Sequence, residues 1–508
     1  MTEQRSKAAA DPLSSPQTVI DPAPRAAWLT VLAATAAGGM AWGIRGQYGH
    51  ETGAMIAGLL VSLVLVVRLA PRAALLPAAR AVALCTIAMG FGGSMTYGQT
   101  IGLTQNAPVI GNASAAAWGM LGLAVKGGLW IGFAGLFLGT GLGRRRVGWL
   151  EMLCLAVALV GLFFLGVWLF NTPFDPAGRQ LPAVYFSADW HWEPDNESLK
   201  PRPEVWGGML LALVGGWTWL GLVRGEPLAR SLALWGVLGG ALGFPLGQSL
   251  QASHAWNREW FAAGPFATLD GFMNWWNWME TTFGAVMGGV LGLGLVRNQH
   301  LLGLPPAGSP PHPRVPRIDL APPAEVLLLS AHVILLVLCE MVERPPFNEI
   351  YDHGLVAGIL PLVAVAGGAW SPFLLMLPIT LLPIAAKTIT MLVGSDPGSQ
   401  PLLGWSVYGV VPMLLATALA VWLIGRSRTQ TSSARALALP LLLTTLTYFL
   451  LNLAVFHFPW PWLPWTGRTP NALAFTIAAA VLLVVALMPL AQRPAARLLD
   501  STASAGQD

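Results

Sequence analysis

Charge is scarce in this chain. Lys, Arg, Asp and Glu make up 10% of its 508 residues, against roughly 25% in soluble domains. That shortage excludes an ordinary water-soluble fold. Hydrophobic residues reach 55%, and the mean hydropathy is +0.60. Apolar runs of about 18 to 24 residues recur along the chain, each long enough to cross a hydrocarbon core about 30 Å thick as a helix. The alternating strands of a membrane barrel are missing. The fold class is therefore all-α: a polytopic helical membrane protein.

Cysteine is equally sparse. Cys85, Cys154 and Cys339 all fall inside apolar runs, which leaves no disulfide framework and no thiolate metal site. Walker A, G-x-S-x-G and H-E-x-x-H motifs are absent, and His50-Glu51 lacks the second histidine of a zincin. Neither a metal nor another cofactor is expected. The net charge of +4 comes from arginines scattered through short loops, so it does not mark a nucleic-acid binder. Residues 1–25 are polar and rich in Ala, Pro and Ser, without the order of a cleaved signal peptide. They read as a disordered cytoplasmic tail.

The apolar runs predict about 14 transmembrane helices. They lie near 27–44, 53–69, 81–99, 116–141, 149–170, 204–222, 231–250, 273–296, 323–342, 354–370, 371–393, 403–425, 435–456 and 471–490. Alternate loops then collect the arginines, from Arg25, Arg68, Arg72 and Arg80 through Arg144, Arg145 and Arg146 to Arg493 and Arg497. The positive-inside rule makes that side cytoplasmic. Both termini are inside, and an inner-membrane location follows. Residues 298–322 form a Pro-rich cytoplasmic linker between an eight-helix, Gly-rich domain (26–297) and a six-helix domain (323–492), which ends in a second tail (493–508).

The opposite, outer side carries most of the 23 tryptophans. They cluster in segments such as FSADWHWEPDNES (Phe186–Ser198) and NWWNWME (Asn274–Glu280). An interfacial aromatic belt would be two-sided, whereas these tryptophans favour one side. Indole faces beside carboxylates and amides suit a sugar-like ligand, stacking on its C–H surface and bonding its hydroxyls.

Three glycine-rich segments end alike: GGMAWGIRGQ (Gly38–Gln47), GFGGSMTYGQ (Gly90–Gln99) and GGALGFPLGQ (Gly239–Gln248). Each closes an outward-going span, and the returning spans also begin alike, as in TGAM, WGM and NWME. Spans 1–2, 3–4 and 7–8 therefore read as parallel helix-hairpin repeats, with spans 5–6 a diverged copy. Gly132, Gly135, Gly139 and Gly143, like Gly284, Gly288 and Gly292, form rows that let helices approach closely.

The candidate binding residues are Arg45, Gln47, Gln99, Gln248, Lys126, Glu280, Trp190, Trp192 and Trp278. Lys126 and Glu280 stand at nearly equivalent repeat positions and suggest an opposite-charge pair across two hairpins. Arg45 can bind an anionic group, and His50 with Glu51 can exchange a proton.

Three functions are compatible with this pattern. One is a transporter or binding protein for a polar, sugar-like solute. It would be open to the outer face and surrounded by membrane lipid, with Glu51, Glu280 or Glu340 titrating if protons are coupled. A second is a membrane enzyme acting on a glycan or lipid-linked substrate, with Glu51, Glu280 and His50 as candidate catalytic residues. The third is a non-catalytic assembly subunit. Nothing in the chain sets an oligomeric state.

Overall fold

The computed structural model describes residues 24–48, 51–73, 75–93, 95, 97–187, 192, 195, 201–304, 438–439, 442–443, 446 and 469–488. Among them all regular structure is helical: α1 (Pro24–Tyr48), α2 (Glu51–Leu69), α3 (Leu75–Gly93), α4 (Gly98–Gln105), α5 (Ala113–Leu142), α6 (Trp149–Phe170), α7 (Trp206–Trp217), α8 (Pro227–Trp256), α9 (Trp275–Arg297) and α10 (Thr469–Leu487). Seven helices are long and apolar enough to cross a membrane: α1, α5, α6, α8, α9, α10, and α7 with the π-helical turn that continues it. The five spans expected between 323 and 456, and the linker before them, lie outside the described residues apart from a few helical positions near 438–446.

Local sequence sets the helix ends. Asn112 caps α5 by accepting from the Ala115 amide at 3.0 Å, and Asn274 caps α9 through the Asn277 amide at 3.4 Å. Glu226 caps α8, accepting from Leu228 N at 3.1 Å, with Pro227 in the first turn, where a missing N–H costs nothing. The expected third span, 81–99, is broken. Its run Gly90-Phe91-Gly92-Gly93 places three poor helix formers together, each about 1 kcal/mol worse than Ala. Helix α3 stops at Gly93, and Gly98–Gln105 becomes the separate helix α4.

Six helices close a ring: α1 packs on α2, α2 on α3, α3 on α5, α5 on α8, α8 on α9, and α9 back on α1. Helices α6 and α7 pair with each other outside it, α4 lies on α5 and α8, and α10 lies on α1. The two tightest crossings are made by glycine. A Cβ on Gly38 would fall on the carbonyl oxygen of Gly284, and one on Gly240 would fall on that of Gly127. Only bare backbones pass this closely.

Aromatic rings fill the centre. Trp42 of α1 meets Trp130 of α5 across the ring at 4.8 Å and Phe283 of α9 at 4.5 Å. Phe283 stacks on Phe244 of α8 at 4.5 Å, and Tyr97 adds an edge to Phe244 at 5.3 Å. Trp42, Trp130, Phe244 and Phe283 are all buried. Helix α6 is the opposite case. Leu153, Val157, Val160, Phe164 and Trp168 are exposed along it, a face suited to hydrocarbon and too apolar for water.

The two ends of the bundle differ. One end holds the arginine loops. There Glu226 accepts from the Arg145 amide at 2.6 Å, and Arg68 reaches the last turn of α10 through Val485 O at 3.2 Å. Arg224 pairs with Glu151 at 2.7 Å. The other end carries the tryptophan-rich loops. His254 pairs with Asp270 there and stacks on Trp275 at 4.5 Å.

Candidate functional site

One helical turn from the aromatic centre, toward the tryptophan end, the ring helices carry polar residues. Lys126 stands four residues from Trp130 on α5, Gln248 four from Phe244 on α8, and Glu280 three from Phe283 on α9. These spacings place each pair on one helix face. Lys126, Gln248 and Glu280 are all buried. On α1 the corresponding residue is Arg45, three after Trp42; its side chain, with those of Gln47 and Glu51, lies outside the described residues, as do His50 and Trp190.

The carboxylate that meets Lys126 is Glu204, which takes the place expected of Glu280. Lys126 Nζ lies 2.5 Å from Glu204 Oε1 and donates to Thr100 Oγ1 at 2.8 Å. Ser187 Oγ donates to the same carboxylate oxygen at 2.8 Å, and Phe186 N donates to Oε2 at 2.8 Å. The reason is the loop after α6. Its stretch Tyr185-Phe186-Ser187 dips into the bundle and is buried there. Trp118 Nε1 donates to Tyr185 O at 3.1 Å and holds it beside α5. Glu204, just before α7, closes the return. Glu204 carries no motif in the sequence: it is the first residue of the expected span 204–222, where PRPEVWGG passes from loop into helix. The helix itself begins two residues later, at Trp206.

Helix α4 supplies the next contacts. Gln248 Nε2 donates to Thr104 Oγ1 at 2.7 Å. Thr104 Oγ1 in turn donates to Ile101 O at 2.8 Å. The hydroxyl proton is therefore spent, so Thr104 must accept, and the amide face of Gln248 must supply the donor. This fixes the carboxamide. Its oxygen, Oε1, is buried with no donor among the described residues, and so is Oε1 of Gln251, one turn farther along α8. Asn277 Nδ2 donates to Gly43 O at 2.9 Å and ties α9 to α1. Gln251, Thr104 and Asn277 carry no motif in the sequence, being single amides and hydroxyls among apolar residues.

The other expected residues are spread out. Gln99 is half-buried at the rim, its Oε1 accepting from Arg202 N at 3.1 Å. It serves a different contact from Gln248. Trp278 is half-buried on α9, and Trp192 is half-buried in the loop between α6 and α7. No group of three or more His, Cys, Asp or Glu residues that could hold a metal occurs among the described residues.

Taken together, buried helix crossings, lipid-suited faces and a polar layer inside the bundle define a multi-pass α-helical membrane protein. No family model, curated protein or solved structure matches this chain.

Proposed function

We propose that the protein carries or binds a small, uncharged, hydroxyl-rich solute of sugar-like size, admitted from the tryptophan face. On this reading the tryptophan face is outer and the arginine face cytoplasmic, in line with the positive-inside rule. The three hairpins of the ring, α1–α2, α3–α5 and α8–α9, are then copies of one unit arranged around a common centre.

One observation carries the reading. The carboxamide oxygens of Gln248 and Gln251 are buried in an apolar bundle without a donor. A buried acceptor left unpaired costs about 1–3 kcal/mol. Such a cost is tolerated where a ligand hydroxyl makes the bond. Indole and phenyl rings beneath the amides offer the flat apolar surface that sugar C–H groups stack on. An uncharged solute is favoured because Lys126, the buried cation of this layer among the described residues, is already met by Glu204. The same pairing disfavours an enzyme: Glu204 accepts three hydrogen bonds from the protein itself, which leaves its carboxylate engaged away from a substrate.

Gln248→Leu separates site from scaffold. Leu fills the same space and removes the unpaired oxygen, so the folded protein is expected to gain about 1 kcal/mol while losing solute binding. Thermal unfolding of purified protein with a panel of hexoses, disaccharides and polyols reads both effects. At saturating solute the wild type should rise by a few degrees, and Gln248→Leu should start higher and not respond. A variant that unfolds earlier, or that responds like wild type, sinks the assignment.

A further inference from the structure

We infer, on the reading that solute enters from the tryptophan face, that the connection between α8 and α9 is a gate over the Gln248 and Gln251 layer. It carries part of an aromatic plug, and Asp270 latches that plug shut.

Helix α8 places the plug. His254 stands three residues beyond Gln251, so it shares the Gln251 face of α8, one turn nearer the tryptophan end. Its ring stacks on Trp275 at 4.5 Å. Phe261 meets both rings edge-on, His254 at 5.0 Å and Trp275 at 5.1 Å. Three rings in contact therefore cover the α8 face directly outside Gln251. The Gln248 row is closed as well. Trp256, two turns beyond Gln248, donates from Nε1 to Thr104 O of α4 at 2.7 Å. Behind these closures Gln251 is only 4% exposed. Rings in van der Waals contact leave no passage of sugar width, so entry from this end requires one closure to move.

The two closures differ in what backs them. Trp256 belongs to α8 itself and is tied to helix backbone. Phe261 hangs on the connection from Asn257 to Asn274, much longer than the roughly 2–8 residues that join most packed helices. Long connections of this kind commonly serve as lids. Its short helices, Arg258–Ala262 and Ala267–Asp270, pack on one another and on the end of α8. Trp260, Phe266 and Leu269 face outward and are exposed. Gly264 and Gly271 supply joints. Gly264 has a φ of +77°, which favours glycine, and a Cβ at either position would meet nothing within 4 Å.

Asp270 stands immediately before the second joint. Its carboxylate pairs with His254 Nε2 and accepts from Trp275 Nε1 at 3.4 Å, so it bonds two of the three plug rings. Rotation about Gly264 and Gly271 breaks these bonds, withdraws Phe261 and uncovers Gln251. Such loop motions gate many binding sites.

The test reads access rather than solute binding. The full-length protein would carry Gln251→Cys in a background lacking Cys85, Cys154 and Cys339. A small membrane-impermeant thiol reagent would be added to vesicles that expose the tryptophan face. Asp270→Ala cuts the latch, and Trp275→Ala removes a ring while leaving the pair. Each is expected to speed labelling about fivefold or more, the shift that loss of one hydrogen bond brings to an opening equilibrium. Asp270→Glu keeps the acceptor and should label near the starting rate. Should Asp270→Ala not elute as a monodisperse peak, Asp270→Asn, which keeps the side chain's size, takes its place. Equal rates with the latch intact and cut overturn the gate and leave the entry route standing. Acceleration by Trp275→Ala alone overturns the latch. No labelling from the tryptophan face in any variant overturns both the gate and the entry.

Discussion

Glu204→Ala should destabilise the folded protein by about 3–5 kcal/mol, the usual cost of leaving one member of a buried ion pair alone. The pair is fully enclosed: the Lys126 and Glu204 side chains are 2% and 0% exposed. Removing the carboxylate strands the ammonium beside the Thr100 and Ser187 hydroxyls, which cannot neutralise it. It also frees the Phe186 amide, so the re-entrant stretch Tyr185–Ser187 loses its anchor. Thermal unfolding in detergent measures the loss. The companion variant Lys126→Met/Glu204→Leu removes both charges and keeps the volume. It should recover most of the deficit, because apolar replacement of a whole buried pair is often neutral or better. If Glu204→Ala unfolds within about 0.5 kcal/mol of wild type, the loop is not held by this pair.

Gly240→Val should be still more severe. A side chain there meets the Gly127 carbonyl rather than another side chain, and backbone cannot rotate aside. Helices α5 and α8 would have to separate along their whole contact, opening the ring at its broadest joint. Overpacking a core commonly costs about 1–3 kcal/mol; a backbone clash at a helix crossing exceeds that. The expected readout is loss of the monodisperse peak in size-exclusion chromatography. Gly161→Val is the control. A Cβ on Gly161 of α6 meets no atom within 4 Å, so this variant should elute as wild type. Equal behaviour of the two would contradict the close crossing.

Much of this architecture is legible in the sequence, because hydrocarbon imposes strong rules. The bounds of α5, α6 and α9 follow from apolar length to within about three residues, whereas α8 (Pro227–Trp256) runs past both ends of the expected 231–250; the glycine rows mark which helix faces come together. The broken third span is not legible by length. There, local glycine content outweighs hydropathy, and a hydropathy window averages it away. The site is less legible still. Lys126 stands out as a charge in an apolar run, but its partner comes from a loop whose path no periodicity encodes. The Gly-Gln ending likewise names Gln248, yet Gln251, one turn on, carries the same unpaired oxygen without any motif. Gln99 shares the motif and serves a loop contact instead, since α3 ends before it. The same dipeptide thus ends in two different surroundings, and the tertiary path decides which copy faces the centre.

On the proposed reading, a solute reaches Gln248 and Gln251 from the tryptophan face, over an aromatic floor that closes the other side. The most direct measurement is cysteine accessibility. Gln251→Cys would be placed in a background lacking Cys85, Cys154 and Cys339 and exposed to a small membrane-impermeant thiol reagent in right-side-out and inside-out vesicles. A path wide enough for a sugar-like solute admits this smaller reagent. Labelling in right-side-out vesicles, with slower labelling in inside-out vesicles, is the expected result. Labelling only from the arginine face, or from neither face, would contradict the account.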